Sequence, residues 1–205
     1  MEDVTIVLDK KKHLNKAIEK SEMALEVLEH IPLEERTISM EAGLINVQAQ
    51  IYSMTGRLRE AMDILWNYYQ RINDSEDSFR DNQRAAFSGV IMLLIEYLFR
   101  YKNIHLGGKG KYFVAKELLL HEEGYIRASV NEDFVSRYYW ARILQLRACC
   151  KKKEGKEDAV TDLAEARRVF EILAEEQQKS EKGLNIWCYD AKKALKDLDA
   201  LYSIW

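Results

Sequence analysis

Ala49-Gln50-Ile51-Tyr52-Ser53-Met54-Thr55-Gly56-Arg57-Leu58-Arg59-Glu60-Ala61-Met62-Asp63-Ile64-Leu65 is the stretch on which the fold turns. Before Thr55-Gly56 the apolar positions fit one helix; after it they fit a second. Leu58, Ala61, Met62, Leu65, Tyr68, Tyr69 and Ile72 form a single stripe, the cleanest helical period in the chain. A two-residue break between two such helices folds the chain back on itself as an antiparallel pair.

Outward from this pair the same period continues. Towards the N-terminus, Leu14, Ala17, Ile18, Ala24, Leu25 and Leu28 mark a helix that stops near His30. Val4, Ile6 and Leu8 alternate, but no partner strand is evident, so they read as a helix start or a loose end. Pro32, Glu34 and Glu35 suit the entry of the next helix. Towards the C-terminus, Asn73–Ser78 closes the third helix and a fourth covers about Asp81–Lys102. Its apolar run Val90–Ile95 is far shorter than the ~20 residues a bilayer needs, so it predicts a buried helix. After the glycine cluster 107–110 a fifth helix ends near Gly124, and Ser129-Val130-Asn131-Glu132 offers a cap for a sixth. A seventh carries Val160, Leu163, Ala166, Phe170 and Leu173. An eighth, about 182–203, carries Ala191, Ala194, Leu198 and Leu201. The expected class is all-α, about eight antiparallel helices in one domain over 1–205.

Composition agrees. With 205 residues, 47% hydrophobic and 32% charged, the chain can bury a core of its own. One proline and nine glycines are too few for many short strands. A net charge of −3 gives no global basic field, so nucleic acid is not an expected partner. The three cysteines, Cys149, Cys150 and Cys188, have no framework or metal spacing, which points to reduced thiols and a cytoplasmic protein. The acidic start has the wrong charge order for a secretory leader. No cofactor or metal is expected.

Ala49, Tyr52, Gly56, Ala61 and Leu65 stand at offsets of three, seven, twelve and sixteen from the first. This pattern resembles the tetratricopeptide (TPR) repeat, a helix–turn–helix unit of about 34 residues. The best unit spans about 42–75, with Asn73 where the family usually has proline. Degenerate units fall at about 82–124 and 131–175. Gly155, Ala159, Leu163 and Ala166 resemble the turn and second helix, but Lys151 takes the aromatic position. The last helix, with Lys192, Lys193, Lys196, Asp197 and Asp199 outward, suits a polar cap. The resemblance implies a right-handed superhelix; the alternative is an irregular helical bundle.

It also implies a concave groove that binds a protein or peptide segment, with no catalysis. Asn46, Gln50 and Ser53 lie opposite the Ile45, Ala49 and Tyr52 packing face, and amides can satisfy both donors and acceptors of an extended peptide. Arg84 and Ser88, and Arg137, Arg142 and Gln145, would extend the groove with positive charge suited to an acidic partner or a chain terminus. The competing reading is a solvated helix face for the first group and surface charge balance against nearby acids for the other two.

Two other functions are expected alternatives. Arg100 and His105 show an R-x4-H spacing that resembles the motif of HEPN ribonucleases and would imply RNA cleavage. Thirteen arginines and four histidines make such spacings common by chance, and cations at a helix C-terminus account for the same residues. Trp66-Tyr68-Tyr69 and Tyr138-Tyr139-Trp140 cannot all face one core. With the last helix, the second group could anchor a structural subunit in a larger complex. Gly107–Lys111 lacks the spacing of a phosphate loop, and Lys151–Lys153 reads as a solvated turn.

Overall fold

Among the described residues, eight helices form where the period predicts them. A computed structural model describes residues 4–32, 37–73, 81–100, 105–106, 109–129, 133–179 and 190–204. The elements are α1 (Val4–Glu29), α2 (Ile38–Met54), α3 (Leu58–Asn73), α4 (Asp81–Arg100), β1 (His105–Leu106), β2 (Lys109–Gly110), α5 (Lys111–Ser129), α6 (Phe134–Lys153), α7 (Ala159–Lys179) and α8 (Ala191–Ile204). The fold is all-α apart from the short β1–β2 ladder, in which His105 pairs with Gly110 and Leu106 with Lys109. That ladder replaces the plain loop expected at the glycine cluster. Among the described residues no helix is long and apolar enough to cross a membrane.

The helices gather into two compact units, Met1–Tyr97 and Leu98–Trp205, with the boundary inside α4. In the first unit α2 packs against both α1 and α3. Ala42, Ala49, Ala61, Met62 and Leu65 lose all solvent contact there. The small residues let the helix backbones approach closely, and Tyr69 stacks on Phe87 of α4 with ring centroids 6.0 Å apart. Phe87, Val90, Ile91, Leu94 and Ile95 are fully buried, as the apolar run predicts.

In the second unit α6 packs along α7, with α5 and α8 flanking it. Tyr138 meets Phe170 edge to face at 5.5 Å. Arg147 ties three helices together: it donates to both oxygens of Asp162 on α7 at 2.7 Å and to Glu123 on α5 at 2.5 Å. The predicted polar outer face of α8 is present. Lys192, Lys193, Lys196 and Asp199 are exposed, while Ala191, Ala194, Leu198 and Leu201 are buried. The part of that predicted helix before Asp190 lies outside the described residues.

Two turns among the described residues share one design. At Gly56 (φ +81°) and Gly155 (φ +69°) the chain enters the left-handed region that only glycine adopts at little cost. In each, the amide of the residue after the glycine reaches back five residues, Arg57 to Tyr52 at 2.8 Å and Lys156 to Lys151 at 2.9 Å. The glycine amides donate to Ser53 and Lys152. This is the Schellman pattern, which satisfies the last carbonyls of α2 and α6. Alanines stand seven and fourteen residues before each glycine, Ala49 and Ala42 in one hairpin, Ala148 and Ala141 in the other, and all four are fully buried. The α2–α3 and α6–α7 hairpins are therefore built alike.

Three boundaries differ from expectation. Helix α5 runs through Gly124 to Ser129 because Ile126 is buried in the next turn. The cap of α6 is Asp133, whose side chain accepts from the Ser136 amide at 2.8 Å, not Ser129. The cap of α2 is Thr37, accepting from the Met40 amide, so the helix begins after Pro32; Glu34 and Glu35 lie outside the described residues.

Candidate functional site: a cleft between three helices

A concavity lies in the first unit. Its volume is about 520 Å³. Because α2 packs on both α1 and α3, those two helices stand as walls above it. Helix α1 contributes Leu25, Leu28 and Glu29; α2 contributes Glu41, Ile45 and Tyr52; α3 contributes Glu60, Asp63, Ile64, Asn67, Tyr68 and Arg71. Leu28, Ile45, Tyr52 and Tyr68 are buried, whereas Glu29, Glu60, Asp63 and Arg71 are exposed. The cleft thus has an apolar floor and a charged rim.

Hydrogen bonds hold the walls in place. Tyr52 on α2 donates to Glu22 on α1 at 2.7 Å, and Gln48 donates to the same phenol oxygen at 3.0 Å. The Gln48 Oε1 atom is buried and accepts no hydrogen bond. Burial, then the hydrogen bond to Glu22, raises the Tyr52 phenol above its ordinary pKa. Arg57 lies over a face of that ring, 4.2 Å from its centroid. On the other wall, Arg71 donates to Glu41 at 2.8 Å, and Tyr68 donates to the Ile38 carbonyl at 3.2 Å. Burial and the nearby Glu41 charge raise the Tyr68 phenol strongly. Both tyrosines are therefore neutral donors at any physiological pH.

The rim is acidic. Among the described residues, Glu29, Glu41, Glu60 and Asp63 face one lining cation, Arg71, which Glu41 engages. Arg57 and Arg59, outside the lining, pair with Glu60 at 3.1 Å and Asp63 at 3.8 Å. The Glu60 backbone amide and Arg57 hold the Glu60 carboxyl below its usual range, so it stays charged.

The predicted site residues fall elsewhere. Asn46, Gln50 and Ser53 are half-buried on the other flank of α2 and do not line the cleft. Ser88 and Gln145 are fully buried and Arg84 and Arg142 nearly so, which corrects their expected place on an open groove. The Arg84 guanidinium donates to Ser88 at 2.8 Å. Arg142 donates to Gln145 at 2.8 Å, and Gln145 donates to the Leu198 carbonyl of α8. Burial lowers the Arg142 pKa to about 10. These side chains satisfy one another because a buried polar group without a partner is costly. Arg137 is engaged by both Glu176 oxygens at 2.8 Å, a fork that joins α6 to α7.

The other motifs have structural occupations. Arg100 pairs with Asp197 of α8 at 3.3 Å, and the His105 side chain lies outside the described residues. Tyr138 and Tyr139 are both buried, so they are not exposed anchors. The three lysines expected in a solvated turn form the last turn of α6, where Lys151 pairs with Asp158 and Asp162, Lys152 donates to the Tyr202 carbonyl, and Lys153 sits over the Tyr112 ring.

The acidic lining of the cleft was missed because no motif marks it. Glu29, Glu41, Glu60 and Asp63 come from three helices, and their convergence is a tertiary fact. No protein-family model, curated protein or solved structure matches the chain.

Proposed function

We propose that this protein is a non-enzymatic binding module, a TPR-like adaptor, whose first unit holds a peptide segment of a partner protein. The observation that carries this reading is the cleft of about 520 Å³ between α1, α2 and α3, apolar in its floor and charged at its rim. Sites that take side chains of a ligand combine those two features: apolar surface supplies affinity, and a few polar groups set orientation. Helices with fixed walls also present the site without an ordering cost at each binding event. The TPR-like reading rests on the Ala49, Tyr52, Gly56 and Ala61 pattern and on the matching α2–α3 and α6–α7 turns.

The test is selection from a displayed random-peptide library, followed by titration of the selected peptides. Ile64→Arg places a charge in the cleft floor, while Asn46→Ala/Gln50→Ala truncates the opposite flank of α2. Peptides that bind the parent, lose binding to Ile64→Arg and tolerate Asn46→Ala/Gln50→Ala are expected. A reversed pattern moves the site to the Asn46 flank. A selection that yields no peptide sensitive to either change ends the peptide-binding proposal.

A further inference from the structure

From the charge around the cleft we infer that its ligand is cationic: a peptide segment with an aliphatic or aromatic anchor flanked by lysine or arginine. This inference rests on the cleft being a peptide site and adds the class of peptide it takes. Among the described residues, four lining carboxylates face one lining guanidinium. Counting Arg57 and Arg59 at the edge, and Glu22 bonded to Tyr52, acids outnumber bases five to three among the described residues.

The ion pairs already present do not close the site to a cation. The Arg57, Arg59, Glu60 and Asp63 side chains are 42%, 87%, 49% and 52% exposed, so their mutual pairing is weak and exchangeable. A carboxylate also has about four acceptor positions, and one guanidinium contact leaves others open. Ammonium and guanidinium groups are donors only, which suits a rim of carboxylate acceptors. An acidic ligand would meet like charge at Glu29, Glu60 and Asp63. The floor of Leu25, Leu28, Ile45 and Ile64 takes the anchor, and the rim sets its charge context.

Three synthetic amphipathic peptides of roughly 16 residues, long enough to become helical on binding, share one leucine face and carry lysine, glutamate or glutamine on the other. Each is titrated calorimetrically into the full chain, into Glu60→Gln/Asp63→Asn and into Ile64→Arg, with circular dichroism verifying that each variant is folded. The lysine peptide should bind the parent more tightly than the other two. Glu60→Gln/Asp63→Asn should weaken it about fivefold, the scale of two exposed charge pairs, and Ile64→Arg should abolish it. Binding should also fall as salt is raised. If the glutamate or glutamine peptide binds equally well and Ile64→Arg still abolishes binding, the cationic class is wrong and the cleft stands. A lysine peptide indifferent to Glu60→Gln/Asp63→Asn likewise overturns the cationic class alone. If no peptide shows binding that Ile64→Arg removes, both the cationic class and the cleft are wrong.

Discussion

The phenol of Tyr52 donates to the Glu22 carboxylate at 2.7 Å, joining positions thirty residues apart on α2 and α1. That bond fixes one wall of the cleft to its floor. Tyr52→Phe keeps the ring and its contact with Arg57 but removes the proton that Glu22 accepts and the oxygen that Gln48 reaches. The expected loss of stability is about 1–2 kcal/mol, the range for a side-chain hydrogen bond with one charged partner. Urea unfolding measures it as a lower midpoint at unchanged slope. An unchanged midpoint would mean that water serves Glu22 equally well.

The glycines divide into two kinds with opposite expected signs. Gly56 and Gly155 hold positive φ values, and an added Cβ would meet nothing within 4 Å, so backbone strain alone opposes substitution. Alanine at either should cost about 1–2 kcal/mol. Gly43 and Gly124 are exposed helix-interior residues with equally open surroundings. Alanine at either should add roughly 0.5–1 kcal/mol by narrowing the unfolded ensemble. Thermal unfolding of the four single variants checks the pattern; a destabilising Gly124→Ala would contradict the placement of Gly124 inside α5.

Acid should weaken the second unit in a defined window. Lys116 above all, then Lys156 and Tyr112, hold the Glu154 carboxyl down to about 2. Arg137 lowers Glu176. At Asp162 burial works upward, but Arg147 and Lys151 outweigh it and leave that carboxyl low. Each folded pKa lies below its unfolded value near 4, so the stabilisation is complete above about pH 5 and disappears as pH falls towards about 2. Denaturant midpoints of the parent should hold from neutrality to about pH 5 and then decline. Glu154→Gln should decline less over that interval; parallel curves for variant and parent would refute the Glu154 contribution.

Burial also governs the adjacent thiols. It raises Cys149 to about 12 and Cys150 to about 11, with neighbouring negative charge adding to both. Thiolate is the reactive form, so neither should react with a disulfide reagent at about pH 8 in the folded protein. A Cys188→Ser background isolates the pair. Two thiols should appear only on unfolding, and rapid labelling of the native variant would show that α6 opens readily.

Much of the fold is legible because local rules dictate it. Leu58, Ala61, Met62, Leu65 and Tyr68 share a face in any helix. Gly56 and Gly155 mark turns because positive φ is a backbone requirement that few other residues meet. Boundaries were less legible where a packing gain outweighed a local preference, as at Gly124, where burying Ile126 carries α5 onward. The cap at Asp133 illustrates a related limit: Ser129, Asn131 and Asp133 all qualify locally, and only the start of α6 packing chooses among them.

The candidate site was less legible than the fold. Periodicity places Asn46, Gln50 and Ser53 on one flank of α2 and Glu41, Ile45 and Tyr52 on another, but it does not say which flank a neighbouring helix leaves open. It likewise marks Arg142 and Gln145 as polar without revealing that each is the other's partner. The sequence by itself determined the helical class, the stripes that must be buried and the two glycine turns, because these follow from dihedral limits and the 3.6-residue period. The tertiary structure alone decided that Glu29, Glu41, Glu60 and Asp63 converge on one apolar cleft. Electrostatic character at a site depends on distances between residues far apart in the chain, and only packing sets those distances.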